Sequence, residues 1–325
     1  MLGATGNTPI TSISLEVGGI PREIFVKLEW FNPTGSLKDR TAISLLATLV
    51  AGGELGPDHT LIESTSGNLG VALAFATSAL RIPFVAVVDS RACPANVRRM
   101  RAYGASVRPV ESAGDGADHL AARLEEVDRL LRADTGGALV WPNQYRNEAG
   151  ADIHYRTTGP ELYEQLDRDV DALFVAVSTG GSLAGVARFF REMSPRTVIV
   201  AVDSAGSAAI GGLPGPRRLV GIGSSRPSLL LSPALYDERI WVTDAAAFAM
   251  CRTMWRVAGL FAGGSSGAVV AACVDYLGRH PEVRRPACVL VDAGTAYVDT
   301  IYDDAWLEAG APTDDALSGT RRYVS

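Results

Sequence analysis

The sequence has little of what marks a metal-binding, disulfide-bonded or membrane protein. Its four cysteines, Cys93, Cys251, Cys273 and Cys288, are scattered and form no CxxC pair. Buried free thiols are therefore expected, rather than disulfides or a zinc site. The four histidines, His59, His119, His154 and His280, lack metal-ligand spacing. No run of about 18 apolar residues occurs, which argues against a membrane-spanning helix. The first ten residues have neither the basic start nor the apolar run of a secretory signal, so a cytoplasmic location is expected. Excess positive charge is missing too. Thirty Lys and Arg face 36 Asp and Glu, for a net charge of −6, which does not suit a nucleic-acid binder needing a basic face. There is no repeat of fixed period and no long linker.

What is there is a globular composition, 47% hydrophobic and 20% charged over 325 residues, enough for one large domain or two of ordinary size. Short runs rich in Val and Ile alternate with longer Ala/Leu/Arg stretches. Strands are expected at 24–28, 60–63, 84–89, 106–110, 138–141, 172–177, 197–203, 239–242 and 287–291. Helices are expected at 39–51, 68–79, 95–103, 115–133, 182–193, 245–259 and 265–278. Several strands are apolar on both faces, as buried parallel strands are. Alternation of this kind implies an α/β fold with ligands outside the carboxyl ends of the strands. The strands are too many for one typical sheet, so two sheets in two lobes are expected. The stretch 211–233, rich in Gly, Pro and Ser, reads as a long loop.

Five segments at strand ends carry chemistry. In Asn32-Pro33-Thr34-Gly35-Ser36-Leu37-Lys38-Asp39-Arg40, Pro33 and Gly35 break a strand, and Lys38 falls in the first turn of a helix. The positive end of the helix dipole eases the loss of a lysine's own charge and favours a nucleophilic amine. On this segment alone, an ordinary solvated lysine is the simpler reading. The run Glu63-Ser64-Thr65-Ser66-Gly67-Asn68-Leu69-Gly70 places hydroxyls, an amide and glycines at a helix N-terminus, a ready carboxylate site. Ser178-Thr179-Gly180-Gly181-Ser182 follows the most hydrophobic strand; without a P-loop lysine it suits a single phosphate. Phe261-Ala262-Gly263-Gly264-Ser265-Ser266-Gly267-Ala268 is a weaker rival for that role. Asp292 ends a strand, where it could pair with a protonated ring nitrogen or cap the next helix.

Taken together, these segments resemble the fold-type II pyridoxal phosphate (PLP) enzymes of the cysteine synthase family, from Gly6-Asn7-Thr8-Pro9 to about Trp306. The resemblance implies a two-lobed, tryptophan synthase β-like architecture, each lobe a mainly parallel twisted sheet flanked by helices. Residues 1–38 and 144–325 would form a larger PLP-binding domain, and 39–143 a smaller, mobile domain for the substrate carboxylate. By the same resemblance Lys38 is the catalytic Schiff-base lysine and Asn68 meets the cofactor's 3′-oxygen. Ser178, Thr179, Gly180, Gly181 and Ser182 hold its phosphate, Asp292 faces its ring nitrogen, and Thr65, Ser66, Gly67 and Gln144 grip the substrate carboxylate. A homodimer acting on small amino-acid substrates is implied.

Departures from the cysteine synthase pattern indicate a subgroup. Ser64 stands where those enzymes usually carry proline, Leu69 where they carry threonine, and Asp292 where they carry serine. These changes are closer to the N-(2-amino-2-carboxyethyl)-L-glutamate synthases. So are Asn143-Gln144-Tyr145-Arg146-Asn147-Glu148 and Gly221-Ile222-Gly223-Ser224-Ser225-Arg226, whereas Thr295 and Ala296 depart from an Asp-Arg pair in that group. Arg123, Tyr145, Ser178 and Gly221 match its substrate pocket. The expected reaction is β-replacement on O-phospho-L-serine by L-glutamate through an aminoacrylate, serving 2,3-diaminopropionate formation for siderophores or peptide antibiotics. Cysteine synthesis from O-acetylserine or O-phosphoserine and sulfide is the alternative. Arg123, Arg146 and Arg226 are candidate cations for a phosphate and a dicarboxylate, with an ordinary surface arginine the alternative for each.

Overall fold

A computed structural model describes residues 2–111 and 118–310. The chain opens with a hairpin, β1 (Ile10–Val17) and β2 (Ile20–Leu28), turning on Gly18 and Gly19, both at positive φ. Two adjacent residues in that region are what a tight hairpin turn demands. Helix α1 (Lys38–Ala51) follows, then β3 (Thr60–Ser64), α2 (Asn68–Leu80), β4 (Phe84–Val88), α3 (Pro94–Ala102), β5 (Ser106–Pro109), α4 (His119–Ala133) and β6 (Leu139–Val140). After the short helices α5 (Ala149–Ile153) and α6 (Gly159–Gln165) come β7 (Ala172–Ala176), α7 (Gly181–Met193), β8 (Val198–Ser204) and β9 (Glu238–Val242). The described chain closes with α8 (Asp244–Ala258), α9 (Gly264–Arg279), β10 (Pro286–Leu290) and α10 (Asp304–Ala309).

The strands form two sheets. One has six strands in the order β1-β2-β10-β7-β8-β9 and is parallel except for the β1–β2 pair; the other has four parallel strands in the order β5-β4-β3-β6. Every residue of β7 and β10 is buried. This is why those segments lack the two-residue alternation of a one-sided strand. Separate apolar clusters cover the two sheets. Phe174, Phe190, Val200 and Leu277 belong to the six-stranded side, and Leu45, Leu61, Leu73 and Met100 to the four-stranded side.

Two parts of the fold escape the sequence reading. Strand β1 alternates Ile13, Leu15 and Val17 inward with Ser12, Ser14 and Glu16 outward, a pattern that the glycine pair beside it makes readable. The helical stretch from α5 to α6 is interrupted by a π-helical turn at His154–Thr158 and by Gly159-Pro160, which hide its period. The first residues of the helix expected at 115–133 lie outside the described residues. No helix among the described residues is long and apolar enough to cross a membrane.

Candidate active site

The carboxyl ends of β3, β7 and β10 each lead into a turn that opens a helix or a helical turn, and Thr65–Asn68, Ser178–Ser182 and Asp292 sit on those turns. The lysine segment is pinned to the end of β10. Ser36 pairs with Asp292 in an isolated antiparallel bridge, and the Leu37 N–H donates to the Val291 carbonyl at 2.9 Å. Behind it the loop is locked by a buried ion-pair network. Arg40 binds Glu29 through Nε and Nη2, each at 2.8 Å, and Glu161 at 2.6 Å; Lys27 reaches Glu161 at 2.9 Å. Asp39 folds back to accept from Thr34 N–H at 3.1 Å and Thr34 Oγ1 at 2.8 Å. Lys38 itself is half-buried, and its Nζ has no hydrogen-bond or ion-pair partner among the described residues. Desolvation lowers its ammonium to about 8, so much of the amine is neutral in mildly alkaline solution. The loop geometry thus separates Lys38 from the ordinary solvated lysine that its own segment leaves open.

The turn after β3 carries Thr65, Ser66, Gly67 and Asn68. Gln144 Nε2 donates to the Ser64 carbonyl at 3.0 Å, and Tyr145 OH reaches the same oxygen at 3.4 Å. Beneath them lies Glu63, fully buried, accepting from Trp141 Nε1 at 3.0 Å, Gln144 N–H at 3.2 Å and Ser64 N–H at 2.9 Å. Burial pushes its carboxyl up to about 7, against these hydrogen bonds and the Arg123 charge. Arg123 comes from α4: Nε donates to Ser64 Oγ at 3.1 Å and Nη1 to Ser66 Oγ at 3.2 Å, while Nη1 also pairs with Asp89. The turn after β3, Gln144, Tyr145 and Arg123 are therefore one connected group.

The turn after β7 has Gly180 at φ +94 capping α7. A side chain there would strike Ser228 Oγ at 2.1 Å, and one at Gly181 would meet the Gly150 carbonyl at 2.9 Å. Two glycines are therefore needed for the chain to pass, and the first N–H groups of α7 have no helical acceptor. Thr179 and Ser182 add half-buried hydroxyls. Ser178 Oγ donates to the Gly223 carbonyl at 3.2 Å, tying this turn to the 211–233 loop.

At the end of β10, Asp292 Oδ2 accepts from Asn68 Nδ2 and from Tyr297 OH, both at 2.7 Å. Burial raises its carboxyl, opposed by those two bonds. Asn68 and Asp292, expected at different edges of one ring, thus touch each other. Two buried oxygens nearby have no partner among the described residues: Asp292 Oδ1 and Ser265 Oγ, the latter on the first turn of α9. The Asp292 carboxylate leaves no room for a side chain at Gly263, and a Cβ at Gly221 would sit 3.0 Å from Ser265 Oγ. The segment ranked as a weaker phosphate cradle therefore brings a buried hydroxyl to the site instead. Ser265, Glu63, Asp89 and Tyr297 receive no role of their own in the sequence reading, although Glu63 and Ser265 lie in segments it names. Only Glu63 had a visible signal, an acid inside an apolar strand. Of the other arginines, Arg146 lies with Arg188 in a separate open cleft of about 650 Å³, and exposed Arg226 faces Asp118 at 3.6 Å.

A desolvated amine, a glycine turn at a helix N-terminus and two buried oxygens without a partner among the described residues fit the donor set that a phosphorylated pyridine aldehyde requires. Comparison with known proteins points the same way. A chain from Ralstonia nicotianae named N-(2-amino-2-carboxyethyl)-L-glutamate synthase is 40% identical over 302 residues, covering 93% of this chain and 89% of its own. One of the same name from Cupriavidus metallidurans is 39% identical over 310 residues, covering 94% and 90%. The crystal structure of a hydrogen sulfide-producing enzyme from Fusobacterium nucleatum superposes with a TM-score of 0.85 at 30% identity, covering 91% of this chain and 98% of that one. The family model for pyridoxal-phosphate dependent enzymes matches residues 1–292. With nearly the whole fold matched and a site suited to the cofactor, this chain belongs to the pyridoxal-phosphate dependent enzyme family.

Proposed function

We propose that this enzyme replaces the phosphate of O-phospho-L-serine with the amine of L-glutamate, giving N-(2-amino-2-carboxyethyl)-L-glutamate. The Cβ–O bond of the donor breaks, phosphate leaves, and a Cβ–N bond forms. The observation that carries this reading is the reach of Arg123 onto Ser64 and Ser66. Ser64 occupies a position where cysteine synthases usually have proline, which has no hydroxyl to hold an arginine. Here the hydroxyl brings a guanidinium to the substrate turn, as a doubly anionic donor requires. The names of the two curated relatives support the same donor and acceptor.

Pyridoxal phosphate, when bound, supplies the electron sink that makes the Cα proton of an amino acid removable. The residues of this chain do the rest. Lys38 Nζ would hold the cofactor covalently and, as an amine, would take the Cα proton of the donor and return it after the acceptor has added. Asn68 and the Ser178–Ser182 turn orient the cofactor, while Thr65, Ser66, Gly67 and Gln144 orient the donor carboxylate. Asp292 or Ser265 serves the ring nitrogen. Residues 39–143 form a smaller lobe that closes on 1–38 and 144–325 and excludes water. The working form is a cytoplasmic homodimer, and its product feeds 2,3-diaminopropionate formation for a siderophore or peptide antibiotic.

The test is phosphate release and product mass with defined pairs. O-phosphoserine with L-glutamate should release phosphate and form the C–N product. Turnover with sulfide alone would overturn this reading in favour of cysteine synthesis. Lys38→Ala should cut turnover roughly a thousandfold while PLP still binds non-covalently. Retained turnover would remove Lys38 from the mechanism.

A further inference from the structure

Asp89 directly follows β4 and has only 2% of its side chain exposed. Its Oδ1 accepts from the Arg91 N–H at 2.8 Å, and its Oδ2 accepts from Ser66 Oγ at 2.9 Å and pairs with Arg123 Nη1. The same Ser66 hydroxyl accepts from the Asp89 N–H at 3.1 Å and from Arg123 Nη1 at 3.2 Å. A hydroxyl has one proton and two lone pairs, so Ser66 Oγ is fully used. Its proton lies on Asp89, and the Arg123 charge is balanced by Asp89. Ser66 Oγ cannot serve an incoming anion without an exchange of partners, and Arg123 keeps only Nη2 clear of Ser64, Ser66 and Asp89.

We propose that Asp89 is a positioning residue that acts as a resident counter-anion for the substrate turn. It holds Ser66 and Arg123 in place and competes with the donor's anionic groups for both, so it sets how tightly anionic donors bind. This rests on the reading of the 65–68 turn as the carboxylate site, and it goes beyond that reading by assigning Asp89 control over it. Two anions sharing one guanidinium and one hydroxyl proton repel at short range, so removal of the resident charge favours the ligand. An amide at this position keeps the shape and still accepts from Arg91 N–H, but its NH2 group cannot accept the Ser66 proton. The serine proton is then released toward the substrate.

The experiment uses the PLP-loaded enzyme and two readouts. In Asp89→Asn, the KM for O-phosphoserine should fall about threefold or more, and by more than any change in kcat. L-Serine, titrated through the visible absorbance of the cofactor, should bind more tightly by a similar factor. In a Ser66→Ala background the Asp89→Asn effect on L-serine binding should shrink to less than about twofold, because the shared hydroxyl is gone. Unchanged or weaker L-serine binding in Asp89→Asn, or an equal effect with and without Ser66, overturns the proposal. Should Asp89→Asn fail to fold, Asp89→Ser, too short to reach Ser66, is expected to shift L-serine binding in the same direction. If the wild-type enzyme does not turn over O-phosphoserine, the functional reading falls, while the L-serine titration still decides the role of Asp89.

Discussion

Glu63 shows how much a single buried carboxyl can contribute at the residue scale. Its proton affinity is raised by burial from an ordinary 4.5 to about 7. Between those values the folded protein keeps this proton and the unfolded chain releases it. The stability contributed therefore falls as pH rises through that window. Glu63→Gln should shrink the stability difference between about pH 5 and pH 8 by about 1–3 kcal/mol, read from urea midpoints. An unchanged pH profile would mean that Glu63 is ionised in the folded protein throughout. Asp292 and Ser265 separate by another readout. Asp292→Asn and Ser265→Ala should differ in the visible band of bound PLP, and the larger shift marks the partner of the ring nitrogen. The segments of Lys38, Asn68 and Ser178–Ser182 stood out in the sequence by their likeness to the family's motifs, and the roles proposed for them rest on that likeness. The roles of Ser265 and Asp89 were not legible there, since a hydroxyl or acid acquires its role from whatever faces it.

At the scale of elements, close approach of helices decides several positions. A Cβ at Gly185 on α7 would lie 2.0 Å from the Ala151 carbonyl on α5. Backbone cannot yield as a side-chain tip can. Gly185→Ala should cost about 1–3 kcal/mol or more and loosen the Gly180-Gly181 turn at the head of the same helix. A denaturation midpoint equal to the wild type would remove this packing argument. Helix α4 depends on its first turn: Asp118 caps it by accepting from the Ala121 N–H at 3.1 Å, and also accepts from Ser225 Oγ at 2.7 Å. Asp118→Ala should cost about 0.5–2 kcal/mol in chemical denaturation. Because α4 carries Arg123, the KM for an anionic donor should rise with it. Strand and helix positions were mostly readable from apolar periodicity. The α5–α6 stretch was not, because a π-helical turn and Gly159-Pro160 break the period while packing against α7 preserves the helix.

For the whole molecule, the decisive feature is that the site is assembled from both sheets. Lys38 and Asp292 border the six-stranded sheet, and Asn68, Ser66 and Arg123 come from the four-stranded side. Further contacts join the two sides around it: Arg91 Nη2 donates to the Arg217 carbonyl at 2.8 Å, and Cys93 Sγ to the Ala296 carbonyl at 3.2 Å. A cofactor held between them stabilises the folded state by mass action. Removing PLP should lower stability by about 2.7 kcal/mol relative to protein held at a hundredfold excess over Kd. A calorimetric scan in which apo and loaded protein unfold together would contradict a site of this kind.

By itself the sequence determined the alternation of strands and helices, the two-sheet α/β class, and the set of turns that places the chain among PLP enzymes. The first two follow from short-range order, periodicity above all, and the third from the likeness of those turns to the family's motifs. The tertiary structure alone decided which side chains meet across distant segments. Asn68 touches Asp292, 224 positions away, and Ser66 shares its proton with Asp89. Among the described residues Ser265 Oγ has no partner, and Lys38 loses water rather than gaining a counter-ion. Burial and partner choice depend on how the two sheets pack, and no local pattern encodes that.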